Sequence, residues 1–238
     1  MKKRKAGTLV ALVVIVAIVA LFGIVYLTNQ MNYGVIQGKI VDDYSQDVVK
    51  KVHLTIDGKS DVLFASKEYI LSRIAPGKYT FQAVAPFYGT FTREVDIKKG
   101  INVLDFTMKG KEIPGLAGII CFADSTERGV EIEIRFKNDQ GQGISDYPAL
   151  PLTLEGKLFV REGDEKNYTR GRKVYEGPIE LSWDPTSYLA RNKGLISRDK
   201  IQIDPQKEPF GVMDLVLTTP QGTFQDVVDN VEFVKKEE

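Results

Sequence analysis

The stretch VEIEIRF at residues 130–136 alternates apolar and polar side chains without a break. Successive side chains of a β-strand point to opposite faces, so Ile132 and Ile134 would face a core while Glu131 and Glu133 face water. A helix cannot use this pattern, because its apolar residues recur every three or four positions. The stretch therefore predicts an antiparallel strand with one solvated face, and it favours an all-β class for the chain.

Similar stretches recur along the chain at spacings of roughly 8–15 residues, separated by turn residues such as Asp57-Gly58 and Pro76-Gly77. Further strands are predicted at residues 35–41, 52–56, 79–84, 91–97, 102–108, 117–122, 157–160, 174–176, 179–183, 200–203, 213–219 and 230–234. Two antiparallel β-sandwich domains, at residues 33–109 and 116–234, would account for them. A linker at residues 110–115 and a solvated tail at residues 235–238 complete this division.

Local signals in the second domain predict a hairpin and a helix. Residues 213–219 lead through the turn Pro220-Gln221-Gly222 into residues 223–227, which is typical of a β-hairpin. Asp184 and Pro185 have the types preferred at a helix cap and at the first helical position, so a short helix is predicted at residues 184–190. The closing strand, turn and strand resemble the last strands of immunoglobulin-like sandwiches.

Four motifs of the first domain resemble one known family. They are GKIVD at residues 38–42, VHLTIDG at 52–58, IAPGKY at 74–79 and APFY at 85–88. Together they are similar to the carboxypeptidase-regulatory-like, transthyretin-like β-sandwich. The resemblance implies a stalk, spacer or protein-binding module without catalytic activity, and it transfers no functional residue to this chain.

The first residues predict where the rest of the chain lies. Residues 1–6 form a basic tip with four cationic side chains, and between Gly7 and Thr28 the chain carries no charge. About 20 apolar residues are enough for a helix to cross the hydrocarbon core of a bilayer. Because basic flanks stay in the cytoplasm, a single-pass helix at residues 7–28 with an extracytoplasmic bulk is predicted. The bilayer is then the first expected partner.

A second interpretation of the same segment is a pilin-like leader. The basic tip, Ala6-Gly7 and an unbroken apolar run resemble the substrates of prepilin-type peptidases, and residues 8–27 would then form a filament core. Bacterial pilins usually carry a Glu at the fifth mature position, where cleavage after Gly7 would place Leu12. A lipoprotein is excluded, since no Cys follows the apolar run.

Charge and residue counts exclude several functions. Beyond the tip, 28 Lys and Arg oppose 32 Asp and Glu, a net charge of −4. An acidic external part argues against nucleic acid as a partner and against a polybasic grip on lipid. The lone Cys121 lies in an apolar strand and the lone His53 in another, so neither a disulfide framework nor a structural zinc site is expected. No catalytic residue, cofactor or metal is predicted.

Two weaker chemical interpretations stay open. Residues 42–47 and 138–143 are oxygen-rich loops of the kind that calcium prefers, although neither has EF-hand spacing. Paired carboxylates such as Glu131 and Glu133, or Asp184 beside Trp183, could in principle serve an envelope glycoside hydrolase. Both pairs are more simply explained as solvated strand and loop residues.

Binding is expected in the loops of the second domain. Tyr147, Pro148 and Leu150 belong to an apolar, proline-stiffened stretch, and Trp183 and Tyr188 flank a second loop. Aromatic side chains on such loops recognise sugars and proteins, although a core position for Trp183 and an edge-covering role for the proline loop are the simpler interpretation. Asn167 begins an Asn-x-Thr glycosylation sequon.

These observations predict a non-catalytic binding or structural protein of the cell envelope, anchored in the membrane and exposed outside it. The expected partner is an envelope protein or a polysaccharide. A pilin-like filament subunit is the alternative, and the glycoside hydrolase is a remote one.

Overall fold

The computed structural model describes residues 32–56, 59–164 and 167–233, with only the backbone of residues 59–65. Its strands are β1 (Gly34–Asp42), β2 (Lys50–Ile56), β3 (Lys59–Ala65), β4 (Glu68–Ile74), β5 (Gly77–Val84), β6 (Phe91–Ile97), β7 (Gly100–Val103), β8 (Phe106–Met108), β9 (Gly118–Thr126), β10 (Gly129–Lys137), β11 (Gly143–Ile144), β12 (Thr153–Gly163), β13 (Tyr168–Trp183), β14 (Asn192–Ser197), β15 (Phe210–Thr219) and β16 (Gly222–Glu232). One 3-10 turn at Arg198–Lys200 is the only helical element of these residues. The all-β prediction is confirmed.

The chain divides into two compact units. Unit 1 contains the described residues up to Val41, with Val48–Pro86 and Thr90–Met108. Unit 2 contains Asp42–Asp47, Phe87–Gly89 and the described residues from Lys109 onward. Two short segments that precede residue 109 in the sequence therefore pack as parts of unit 2.

Unit 1 is built from two four-stranded sheets. One has the order β4-β1-β7, with β8 also paired to β1, and the other has the order β3-β2-β5-β6. The ring of Phe81 on β5 lies 5.9 Å from Tyr69 on β4 and 5.5 Å from Phe106 on β8, so the two sheets share one core. The Tyr69 hydroxyl donates to the carbonyl oxygen of Leu104 at 2.7 Å, and burial raises its pKa.

Unit 2 is one sheet of eight strands, in the order β11-β10-β14-β13-β12-β15-β16, with β9 also paired to β10. Its two ends meet, since the Cys121 N–H on β9 donates to Oδ2 of Asp226 on β16 at 2.6 Å. The sequence predicts an immunoglobulin-like sandwich here, which consists of two facing sheets. They are continuous because β13 pairs with β12 through Ile179 and with β14 from Glu180 onward.

The core of unit 2 follows the alternation seen in the sequence. Ile132 and Ile134 of β10 are fully buried, and they pack with Leu158 of β12 and Leu215 of β15 in one apolar cluster. Burying side chains of this size contributes about 1.5–3 kcal/mol each. The face of β10 that carries Glu131 and Glu133 is left for solvent.

Several local predictions differ from the structure. Residues 201–203 form no strand, although Ile201 and Ile203 pack against the core as side chains of an irregular segment. The helix predicted at residues 184–190 is absent: Oδ1 of Asp184 accepts hydrogen bonds from Thr186 in a turn, and none of residues 184–190 is helical. The hairpin prediction is confirmed, with Thr219 paired to Gly222 across Pro220-Gln221.

The predicted basic tip (residues 1–6), membrane helix (7–28) and tail (235–238) lie outside the described residues. Within residues 32–56, 59–164 and 167–233, no helix has the length and apolar character that a membrane crossing requires.

Candidate functional site

The outer face of strands β10, β14 and β13 is the candidate site. Glu131 and Glu133 of β10 point outward because Ile132 and its neighbours fill the core. The strand register places Leu195 of β14 opposite Glu131 on one side and opposite Glu180 of β13 on the other. Since neighbouring strands are about 4.8 Å apart, the two glutamates stand about 10 Å apart at their Cα atoms, with Leu195 between them.

These side chains border an open groove of about 610 Å³. The groove is lined by apolar, hydroxyl and charged side chains together: Arg128, Glu131, Pro178, Ile179, Glu180, Leu181, Ser182, Lys193, Leu195, Ser197 and Lys200. Its floor is formed by three hydrogen-bonded strands, so most of the lining residues are held by a rigid sheet. Its volume falls within the usual range of ligand-binding clefts.

Ion pairs fix part of this lining. The Lys193 ammonium lies 2.9 Å from Asp184, and Glu131 lies 2.7 Å from the Arg128 guanidinium. Hydrogen bonds from Thr186 and then from Lys193 hold the pKa of Asp184 well below its usual range, and the bond to Asp184 raises the pKa of Lys193. Both groups are therefore charged at neutral pH.

Two charges of the groove are available to a ligand. Within the described part of the chain, the side chains of Glu180 and Lys200 make no hydrogen bond or ion pair. They present one carboxylate and one ammonium beside the apolar Leu195. This arrangement suits a partner that combines hydrogen-bonding groups with an apolar surface.

An apolar strip lies next to the groove residues on the same face. Phe122 and Ile120 of β9 are opposite Glu133 and Arg135 of β10 and stay 41% and 38% exposed. The Arg135 guanidinium lies 4.3 Å from the centre of the Phe122 ring, which is the distance of a cation–π contact. Arg135 also pairs with Glu133 of the same strand at 3.1 Å, and this ion pair holds the guanidinium that contacts Phe122 of β9.

The exposure expected for Tyr147, Pro148 and Leu150 is wrong, because all three are buried. Tyr147 and Leu150 belong to the core cluster of unit 2, and the Tyr147 ring lies 5.0 Å from Phe136 and 5.7 Å from Trp183. Burial raises the pKa of Tyr147 to about 12, although Arg191 opposes the shift. The stretch closes the core and is not a free loop.

Trp183 is also a packing residue. It is half-buried against the core cluster, and its indole N–H donates to Oδ2 of Asp47 at 2.9 Å. The Arg191 guanidinium lies 5.6 Å from the Trp183 ring. The structure thus places Tyr147 and Trp183 together, but as part of the interior of unit 2.

Tyr188 and Asn167 are at the surface. Tyr188 is 74% exposed in the turn that replaces the predicted helix. Asn167 is exposed between β12 and β13, where its backbone N–H donates to Oδ1 of Asp164 at 2.7 Å. Neither lies among the residues that line the groove. Binding by Tyr188 and glycosylation of Asn167 remain predictions.

Cys121 and His53 have the surroundings expected of structural residues. Cys121 is buried, and burial with the nearby Asp226 raises its pKa to about 12, so the thiol is neutral. His53 is exposed on β2, between the buried Val52 and Leu54.

The oxygen-rich loops are satisfied by protein donors. Oδ1 of Asp42 accepts from the backbone N–H groups of Tyr44 and Ser45, and Oδ2 accepts from the Tyr88 hydroxyl. Asn138 likewise accepts from the N–H groups of Gln140 and Gln142 in a turn. Over the described ranges, no group of three or more His, Cys, Asp or Glu could hold a metal ion.

Sequence reasoning missed the central strand of the groove. β14 turns Asn192 and Gly194 toward the core and leaves the apolar Leu195 partly exposed. Most strands do the reverse, with apolar side chains in the core and polar ones in solvent. The Asn192 amide is satisfied by the Tyr147 hydroxyl at 3.3 Å. No alternation of hydrophobicity could reveal this strand, but the alternating glutamates of β10 do indicate the face.

The chain matches no known family profile and no curated protein. It is similar to several solved structures at low identity. A DUF3823 family protein from Bacteroides ovatus is 13% identical, over 84% of this chain and 100% of that one, with a TM-score of 0.29. A candidate carbohydrate-binding protein from Bacteroides uniformis is 15% identical, over 82% and 98%, with a TM-score of 0.29.

The major pilin subunit of Bacillus cereus, BcpA, is 12% identical, over 84% of this chain and 69% of that one, with a TM-score of 0.31. At these scores the likeness assigns neither a fold family nor a function to the chain.

Proposed function

We propose that the chain is a non-catalytic binding protein of the cell envelope, anchored by residues 7–28 and exposed outside the membrane. The partner is an envelope protein or a polysaccharide, and it binds in the groove over β10, β14 and β13. The observation that carries the proposal is this groove of about 610 Å³, whose floor is a rigid sheet and whose lining offers unpaired charges at Glu180 and Lys200.

The sequence supports the location. An uncharged run from Gly7 to Thr28 behind a basic tip is sufficient for a single membrane crossing with the bulk of the chain outside. The net charge of −4 beyond the tip is suited to a soluble external part and not to a nucleic-acid partner.

The chemistry of the lining supports binding more than catalysis. Glu131 is engaged by Arg128 and Glu133 by Arg135, so the two outward carboxylates of β10 already accept hydrogen bonds from guanidinium groups. Glycoside hydrolysis needs one carboxyl group of a pair as a proton donor. A ligand held by Glu180, Ser182 and Lys200 needs no proton transfer.

The test is binding of the full chain, in vesicles, to isolated cell envelopes. Leu195→Glu places a charge at the centre of the groove, whereas Val216→Glu makes the same change on the half-buried outer face of β15. We expect retention to fall at least tenfold for Leu195→Glu and to stay unchanged for Val216→Glu. Treating the envelopes with protease or with periodate then identifies a protein or a polysaccharide partner. If the envelopes retain both variants equally, the groove is not the binding site.

A further inference from the structure

Unit 1 carries an exposed apolar patch on the outer face of its sheet β4-β1-β7. The patch consists of Val35 on β1, Ile70 on β4, and Ile101 and Val103 on β7. Ile101 and Val103 are each 69% exposed and Ile70 is 65% exposed, which is unusual for β-branched side chains on a sheet. The pairing of the three strands makes the patch continuous. Val35 of β1 is opposite Ile101 of β7, and in the next outward row Gln37 of β1 lies between Ile70 and Val103.

The patch lies at the end of unit 1 where the chain enters from its N-terminal side. Ile101 is opposite the second residue of β1, and Gly100 donates its N–H to the carbonyl oxygen of Tyr33 at 3.2 Å. Thr28 ends the predicted membrane helix only six residues before Gly34. An extended chain spans at most about 3.5 Å per residue, so Gly34 stays within roughly 20 Å of the end of that helix.

The turn between β6 and β7 adds positive charge at the same end. Lys98 and Lys99 are exposed, and the Lys99 ammonium donates to Oδ1 of Asn32 at 3.0 Å. The Asn102 side chain closes the turn by bonds to Lys98 and reaches the carbonyl oxygen of Val35 at 3.3 Å. The two lysines are thereby fixed beside the patch.

We infer that this patch and the Lys98-Lys99 turn rest on the lipid surface of the membrane that holds residues 7–28. The inference rests on the proposed anchoring. Apolar side chains beside lysines are the combination that binds the interface of a bilayer, where apolar groups enter the headgroup boundary and cations attract anionic lipid. Two lysines are fewer than a polybasic site needs, so the apolar side chains carry the contact.

The nearby charges agree with this orientation. Asp96 of β6 carries the carboxylate that is closest in sequence to the turn. It is opposite Lys78 of β5, so its negative charge faces a cation on the neighbouring strand. Lys39 and Glu68 form the next outward row of the sheet beyond Gln37 and Ile70, and there the apolar patch ends. The apolar area is thus confined to the end of the sheet that lies near the membrane.

The test uses the full chain in vesicles, with Cys121→Ala as background and a polarity-sensitive fluorophore on Ile101→Cys. The matched control is Val84→Cys, a 42% exposed apolar site at the opposite end of unit 1, since Ala83 pairs with Phe91 whereas Gly77 pairs with Ile97 beside the turn. We expect blue-shifted emission at position 101 that lipid-borne nitroxides quench, with neither effect at position 84. Lys98→Glu with Lys99→Glu should remove the part of the quenching that depends on anionic lipid.

The possible outcomes are distinguishable. Chain that fractionates with the vesicles but shows no lipid quenching at position 101 overturns the contact and leaves the anchoring intact. A blue shift without lipid quenching, which grows with protein density, means that a second copy covers the edge strand β7, and it also overturns the inference. Chain that is recovered free of the vesicles overturns the anchoring, and this inference with it.

Discussion

The Tyr88 hydroxyl donates a hydrogen bond of 2.9 Å to Oδ2 of Asp42, a carboxylate that is 1% exposed. Both residues lie in segments that pack with unit 2, although Asp42 is the last residue of β1 and Tyr88 follows β5 in the sequence. A buried carboxylate is stable only when its oxygens accept hydrogen bonds, and Asp42 receives three. The pair therefore fixes the loop Asp42–Asp47 on which the Trp183 indole depends.

Replacing Tyr88 by Phe should destabilise unit 2 by about 2 kcal/mol, because it leaves one oxygen of a buried charge without its donor. The measurement is the urea midpoint, followed by fluorescence of Trp183, the only tryptophan. Tyr175→Phe is the matched control in the same unit, since that hydroxyl bonds the carbonyl of Pro178 in an exposed setting. If the two variants have the same midpoint, the Asp42 bond contributes nothing.

Stability should fall at alkaline pH because of the buried tyrosines. The pKa of Tyr88 is raised by burial and by Asp42, and burial raises the pKa of Tyr147 to about 12. A tyrosine in the unfolded chain titrates near pH 10, so the folded state holds these protons where the unfolded state has lost them. The contribution is complete below about pH 10 and is lost as pH rises through the folded values.

The check is the urea midpoint between about pH 9 and about pH 12, compared with the onset of tyrosinate absorbance in the folded protein. We expect the midpoint to fall with pH less steeply in Tyr88→Phe, which lacks one of the shifted groups. A slope that is identical in the variant and the parent would contradict the assignment of Tyr88.

Gly129 is a conformational requirement of the candidate site. It has φ of +146° and lies opposite Ser197, and an added Cβ would overlap the carbonyl oxygen of Ile196 on β14. Gly222 has almost the same φ, +142°, but open space around its Cβ position. Gly222→Ala should cost about 1 kcal/mol of backbone strain, and Gly129→Ala more than about 3 kcal/mol.

If the two alanine variants have equal urea midpoints, the close pairing of β10 with β14 at Gly129 contributes no stability, contrary to the structure. A larger drop for Gly129→Ala than for Gly222→Ala, with loss of envelope binding in Gly129→Ala alone, would link the pairing of these strands to the groove.

Residue patterns predict the strands whose faces differ in polarity. β6, β10 and the hairpin of β15 and β16 follow from alternation and turn residues alone, and they appear as expected. β4 is harder to predict from sequence. Its alternation of apolar and polar side chains is interrupted at Arg73, where φ is +61° and the register to β1 shifts. β14 is hidden because two of its three buried positions are Asn192 and Gly194, and the buried Asn192 amide depends on Tyr147, far away in the sequence.

The candidate site is predictable only in part for the same reason. The outward glutamates of β10 are evident from sequence, but Leu195 and Glu180 become their neighbours only through strand order. Sequence makes Tyr147 and Trp183 candidate loop residues for binding and also allows a core position for Trp183; tertiary packing buries the first and half-buries the second. Aromatic content alone does not distinguish a core residue from a binding residue.

The central claim, an anchored envelope protein, is tested most directly by the mature N-terminus of the native chain in membrane and sheared-surface fractions. Mass spectrometry should find the chain only in membranes, with Lys2 to Lys5 still attached. A chain that begins at Gly7 or Thr8 in sheared high-mass material would contradict the anchor and indicate a pilin-like filament subunit instead.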